Sequence, residues 1–397
     1  MAYIRSIAGF ALMGVVLLAG CGSPQPRVLS EQESPYASLV TGKRPLSPTQ
    51  YLVRDGKEPG YSEDFIRHYE KVRGRALNVL LLSGGGQNGS FGAGLLKGWR
   101  AHGSRPEFDV VTGVSTGALL ATHAFLGTPA DDAVLEQLFT GVGADDIYRG
   151  RGLMDIVGGS SSLLDTDPLA KLIERTITPE VLERVAAEHA KGRRLVVGTT
   201  NLDYNQTWAW SLGAIAAAGG PEALTLYRKV LRASSAFPIM FPPVEIDGHL
   251  FADGAVRANL LVVGLSGDQP PGPPLYGRGT VYVVQNGKSD ARPEAVGSDL
   301  VSIAGVGIGE MMSSSNESLV LRSYFAALVH EYDFQTISVP VDVEIGSDPL
   351  AFDRQQMMVG FQTGFELGKQ GPAAWSSTPP LLQDLPPWAL DVVRERL

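Results

Sequence analysis

Residues 80–94 read LLLSGGGQNGSFGAG. A run of leucines with the look of a buried strand stops at three consecutive glycines, and three more follow within eight residues. Glycine loses more backbone freedom on ordering than any other residue. It persists where the chain turns tightly or where something approaches the main chain. Three readings fit. Gly84, Gly86 and Gly89 satisfy G-x-G-x-x-G between a strand and a helix, the dinucleotide fingerprint, with Glu107 or Asp109 near the spacing of a ribose-binding acid. Bare N–H groups at a helix N-terminus also suit an oxyanion. Close helix–strand packing needs the same residues.

Outward from this stretch the pattern repeats. Apolar runs at 76–82, 108–113, 194–200 and 281–284 predict buried strands, and 90–102 predicts a helix. Helical stretches near 298–332 and 353–369 flank a further strand at 336–343. Strands alternating with helices give an α/β fold with a largely parallel sheet. The proline-rich loop 267–274 is a connector, and there is no internal repeat.

The first residues are of another kind. Arg5 precedes an uncharged apolar run at 7–20, short of the roughly 20 residues of a membrane span. It has the form of a secretory signal. The run ends in Leu18-Ala19-Gly20-Cys21, which resembles the lipobox of bacterial lipoproteins. That resemblance implies cleavage after Gly20 and lipidation of Cys21. Gly22, in place of a retaining aspartate, favours the outer membrane facing the periplasm. Cys21 is the single cysteine, so no internal disulfide forms. Each buried acyl CH2 adds about 0.8 kcal/mol to such an anchor. Residues 1–20 are thus the signal and 21–75 a tether, with a short helix around 64–72. A net charge of −9 excludes non-specific nucleic-acid binding. An exported chain also argues against a dinucleotide.

The next informative motif is Gly113-Val114-Ser115-Thr116-Gly117, a G-x-S-x-G between a strand and a helix. A nucleophile on a sharp strand-to-helix turn projects its hydroxyl, and small neighbours relieve the crowding. The serine needs a base. His189, His249 and His330 follow at a distance, and His123 lies in the helix after the turn; each reads as a surface or packing residue. The other candidate is Asp253 in FADGA (251–255), which also reads as a common Asp-Gly turn.

Together these pieces resemble the patatin-like phospholipases: a strand ending in Gly84-Gly85-Gly86, then the serine turn, then ASSAFPIMFPP (233–243), then Asp253-Gly254-Ala255. The resemblance covers 76–290 in matching order. It implies a three-layer sandwich and a Ser115–Asp253 dyad without histidine. It also implies an oxyanion hole from Gly84, Gly85, Gly86 and the N–H of Thr116, and hydrolysis of lipid esters. Gly113 and Gly117 would shape the elbow, and 291–397 would complete the domain. Asn88 departs from the family's basic residue at that position, which weakens the case for phospholipid in particular. A non-catalytic lipid-binding or scaffold lipoprotein and a His-assisted esterase are the rival readings. No cofactor or metal is implied, and the sequence does not give the oligomeric state. Trp208 and Trp210 suit either a lipid-facing or a packed strand. Residues 212–218 and Met240-Phe241 suit an acyl wall or membrane contact. Met311-Met312 and Met357-Met358 read as core, and Asp203 as a turn residue.

Overall fold

The computed structural model describes residues 70–388, apart from 153–159, 263–274, 290–296 and positions 299, 347, 384 and 387. The signal segment, Cys21, nearly all of the tether and the connector 267–274 therefore lie outside the described residues. Of the expected helix at 64–72, residues from 70 onward are described, and 70–73 are helical.

The chain runs β1 (Asn78–Leu82), α1 (Gly89–His102), β2 (Val110–Val114), α2 (Thr116–Leu126), α3 (Pro129–Thr140), α4 (Asp167–Thr176) and α5 (Pro179–Ala190). It continues through β3 (Arg194–Asn201), β4 (Gln206–Ser211), α6 (Leu212–Ala218), α7 (Gly220–Ser234), β5 (Val244–Ile246) and β6 (His249–Asp253). The last part supplies β7 (Thr280–Lys288), α8 (Leu300–Val329), β8 (Asp333–Val339) and α9 (Arg354–Gly368). The eight strands form one sheet in the order β8-β7-β1-β2-β3-β6-β5, with β4 also paired to β3. The five strands from β8 to β3 are parallel to their neighbours. β4, β5 and β6 are joined by antiparallel pairing. The fold is thus α/β with a largely parallel central sheet, and apolar cores form on both of its faces. β1 is hydrophobic at nearly every position because both faces are covered.

The segment after residue 290 is built into the same sheet. β8 pairs with β7, and α9 packs on α1 through a seam of glycines. A Cβ on Gly94 would lie 1.9 Å from the Phe361 carbonyl oxygen, and one on Gly364 would lie 2.1 Å from that of Phe91. The helices therefore touch backbone to backbone. The strand expected at 336–343 begins at Asp333 and ends at Val339. Its continuation is broken by Pro340, which cannot donate to a ladder.

Of the two readings open for Trp208 and Trp210 the packed one holds, and the expectation for 212–218 is corrected. Trp208 and Trp210 do not face lipid. Both rings stack against Phe251, at 5.2 and 5.3 Å between centroids, and the Trp210 indole donates to Thr199 at 2.8 Å. Residues 212–218 are a packed helix, with Leu212, Ile215 and Ala216 buried. The methionine pairs split: Met312 and Met357 are buried, and Met311 and Met358 are exposed.

Candidate active site

The site begins with strand register. The first half of β3 pairs with β2, and the last pair is Val114 with Gly198. One residue further along the same edge of β3, Thr199 pairs with Asp253 at the end of β6. β2 and β6 run in opposite directions, so their ends meet head-on. Ser115 leaves β2 at that point and Asp253 closes β6. Neighbouring strand residues are about 3.3 Å apart, so pairing to β3 alone brings the two side chains together. The meeting is tight. A Cβ on Gly254 would lie 2.8 Å from the Gly198 carbonyl oxygen and 2.8 Å from Val114 Cγ1.

Ser115 is the sharp turn itself, with φ 54° and ψ −124°. That region is costly for a residue with a Cβ and persists only where surroundings fix it. Here they do. The Ser115 N–H donates to Ser234 Oγ at 3.0 Å, and the Ser234 hydroxyl donates to the Gly198 carbonyl at 2.7 Å. The flanking glycines have no room for a side chain. A Cβ on Gly117 would sit 2.3 Å from the Leu82 carbonyl oxygen, and one on Gly113 2.3 Å from that of Gly117.

Asp253 is 1 % exposed. Burial pushes its carboxyl up to about 7, against the Ser115 hydroxyl and the Ala255 N–H, which both favour the charged form. The Ala255 contact is 2.8 Å long. The serine hydroxyl therefore faces a carboxyl that is poised near neutrality, where a general base works best.

The glycine run wraps the other side. The Gly84 N–H is engaged by the Asn259 carbonyl at 3.0 Å, so Gly84 lines the site without presenting its donor. Gly85 precedes and Gly86 opens the short turn 86–88, and Thr116 opens α2, where the first N–H groups of a helix have no internal acceptor. A Cβ on Gly89 would lie 2.1 Å from Thr116 Oγ1, so the N-termini of α1 and α2 converge beside Ser115. Both helix dipoles place positive potential there. Buried Gln87 anchors the loop: its N–H donates to Pro349, its side-chain amide to the Asp348 carbonyl and to Gln356, and its side-chain oxygen accepts from the Asp353 N–H. Neither Ser234 nor Gln87 stood out in the sequence as a site residue. Ser234 lay inside a quoted motif, and Gln87 is an unremarkable glutamine whose partners are more than 250 residues away.

None of the four later histidines completes a triad. His189 and His330 precede β3 and β8, at the N-terminal end of the parallel strands, and Ser115 follows the C-terminal end of β2. His249 begins β6, four residues before Asp253. His123 is two turns along α2, about 12 Å from the elbow by helical rise, with Nδ1 2.9 Å from Asp131. Asp109, weighed as a ribose ligand, is buried and held by Arg75 through two bonds of 2.9 Å. Asp203 accepts from the Leu250 N–H at 2.9 Å, a structural role.

Two cavities lie near the glycine loop, and one of them holds the dyad. A narrow apolar slot of about 60 Å³ opens at Ser115 and Asp253 and runs between residues such as Leu119, Leu138, Phe139, Leu172 and Ile173. Phe241 lines it too, and Met240 packs nearby in a cluster with Phe241 and Leu350. A polar cleft of about 960 Å³ opens on the glycine side, at Gly84, Gly85 and Asn88. Met312 borders both. Among the described residues, no group of histidines and acids is arranged to hold a metal, and no helix is long and apolar enough to cross a membrane.

No curated protein matches this chain. The crystal structure of VipD from Legionella pneumophila is similar over 75% of this chain and 66% of VipD, at 14% identity and a TM-score of 0.38. This chain thus spans just under two thirds of VipD's length. The family model described as Patatin-like phospholipase matches residues 80–265, a range that holds the glycine run, the Ser115 elbow and Asp253. The chain carries a patatin-like phospholipase domain.

Proposed function

We propose that this protein is a serine lipid acyl hydrolase that works through Ser115 and Asp253. The family is one of lipid acyl hydrolases. The observation that carries the finer reading is the strained Ser115, its hydroxyl facing the buried carboxyl of Asp253. Asp253 takes the hydroxyl proton as Oγ attacks the ester carbonyl. The N–H groups of Gly85, Gly86 and Thr116 receive the oxyanion, and each such donor contributes about 100- to 1000-fold. Asp253 returns the proton to the departing alcohol, which leaves an acyl ester on Ser115. Water, deprotonated by Asp253, then releases the fatty acid. The apolar slot takes the acyl chain.

Lipidation of Cys21 would hold the enzyme at a membrane, in keeping with an interfacial substrate. The anchor is part of this proposal and rests on residues 18–21. Mass spectrometry of the membrane fraction, with Cys21→Ser beside the wild type, tests it; an N-terminus without acyl groups would refute it.

Fluorophosphonate labelling of the chain from Gly22 onward, in detergent, tests the chemistry. The label is expected on Ser115 and absent from Ser115→Ala. A folded protein that takes no label would remove the hydrolase reading and leave a lipid-binding protein.

A further inference from the structure

Three helices frame the apolar slot and fix its length. Thr116, Leu119 and His123 line it from α2, and spacings of three and four residues put them on one face of that helix. α7 runs the other way beside α2. Ser234 at its end holds the Ser115 N–H, and Tyr227, seven residues earlier, meets Thr122, seven residues later, through a hydroxyl bond of 2.8 Å. α4 runs with α2. Its first residue, Asp167, pairs with Arg232 at 3.3 Å, near the dyad end of α7, and Ile177, just past its last residue, accepts from Arg228 at 2.9 Å. Leu169, Ile173 and Ile177 form its slot face. The slot therefore leaves Ser115 along α2 and has His123 and Ile177 at its far end.

That far end is closed and stiff. His123 and Ile177 are 2 % and 3 % exposed. His123 Nδ1 lies 2.9 Å from Asp131. Asp131 is held in turn: the Thr128 hydroxyl donates to it at 2.6 Å, and Arg184 pairs with it at 2.5 Å. A methionine in this place would adapt to a longer chain. An imidazole tied to a buried carboxylate moves only by breaking that bond.

The distance converts to a chain length. His123 is eight residues beyond Ser115, about 12 Å by helical rise. An extended hydrocarbon built from ~1.5 Å bonds advances about 1.3 Å per carbon. About eight to ten acyl carbons therefore fill the way from the Ser115 ester to the imidazole.

We propose that the slot is a chain-length gauge with His123 as its floor, and that the enzyme takes medium-chain acyl esters in preference to long-chain ones. The proposal rests on the hydrolase reading above and names the acyl group which that reading leaves open. A shorter chain leaves apolar wall uncovered. A longer one must displace His123, which acts here on specificity and has no part in proton transfer.

The test is kcat/KM on p-nitrophenyl esters from butanoyl to hexadecanoyl in mixed micelles of one detergent. The value is expected to peak at octanoyl or decanoyl and to fall by about tenfold or more beyond them. His123→Ala opens the far end, and so does Ile177→Ala, which leaves the Asp131 bonds alone. Each should move the fall about two carbons longer, and Ile177→Ala stands by itself should His123→Ala fail to fold. A second readout needs no catalysis: calorimetric titration of Ser115→Ala with free fatty acids of the same lengths, kept below micelle formation. Affinity should climb about fourfold per methylene as far as decanoate and then level. A climb that continues to hexadecanoate in either series, or no binding of decanoate, overturns the gauge. A fall that stays at the same length in the folded variants overturns the floor. If no ester is hydrolysed the hydrolase reading fails, and the titration still decides the gauge.

Discussion

Replacing Asp253 by asparagine should abolish hydrolysis and, above neutral pH, make the protein more stable. An unfolded aspartate titrates near 3.9, whereas burial raises the folded carboxyl to about 7. Between those values the folded state holds a proton that the unfolded state has released. Stability therefore falls as pH rises through this window and levels off above the folded value. Asparagine does not titrate and keeps the shape. The gap between the variant and the wild type should thus widen by roughly 2 to 3 kcal/mol from pH 5 to pH 8. Urea unfolding of both proteins at fixed ionic strength, across that range, reads the gap directly, and the other titrating groups cancel in the difference. A gap that is flat or narrows with pH would refute the reasoning, because the carboxyl would then be ionised at no cost. The wild-type kcat/KM should rise through the same window, with its midpoint near 7.

Other perturbations follow from the same geometry. Ser234→Ala removes the hydroxyl that holds the Ser115 N–H. It should lower kcat and the fluorophosphonate labelling rate together, cost about 1 to 2 kcal/mol of stability, and leave KM nearly unchanged; an unaltered labelling rate would mean that the elbow holds itself. Leu172→Trp narrows the apolar slot and should shift the acyl-length profile toward shorter esters, measured on a p-nitrophenyl ester series. Gly364→Ala drives a methyl toward the Phe91 carbonyl and should cost about 1 to 3 kcal/mol, seen as a lower urea midpoint. His330→Ala should leave kcat within about twofold of wild type, since a base must lie within hydrogen-bond reach of the serine; a severe loss would reinstate a triad.

What the sequence made legible was local. Gly113 and Gly117 are visible because the elbow's crowding acts over four residues, and the leucine and valine runs are visible because both faces of the sheet are covered. The alternation of strand and helix then gives the α/β class. The meeting of Ser115 with Asp253 was reachable only through the family resemblance, since it arises from two strands sharing one edge of β3. The loss of Gly84 as a donor was not legible by either route. A carbonyl from Asn259 engages it, and no pattern near residue 84 records that contact. Trp208 and Trp210 stayed ambiguous for a related reason. An alternating aromatic pair reads the same on a lipid-facing strand and on one packed against Phe251. The polar cleft draws its walls from residues 84 to 359 and leaves no local signature.

The anchoring of Gln87 to residues 348–356 bears on the order in which the chain is made. Synthesis delivers the nucleophile elbow and Asp253 well before α9 emerges, and domains assemble from the N-terminal side as they appear. Until Pro349 and Asp353 arrive, the glycine loop has no acceptor for the Gln87 N–H and no donor for its side-chain oxygen. The seam against α9 is equally open. On the proposed reading, a nascent chain thus carries Ser115 and Asp253 without the anchored loop that would receive the reacting oxygen. If the proposed function holds, hydrolysis is withheld in this way until the last hundred residues are in place.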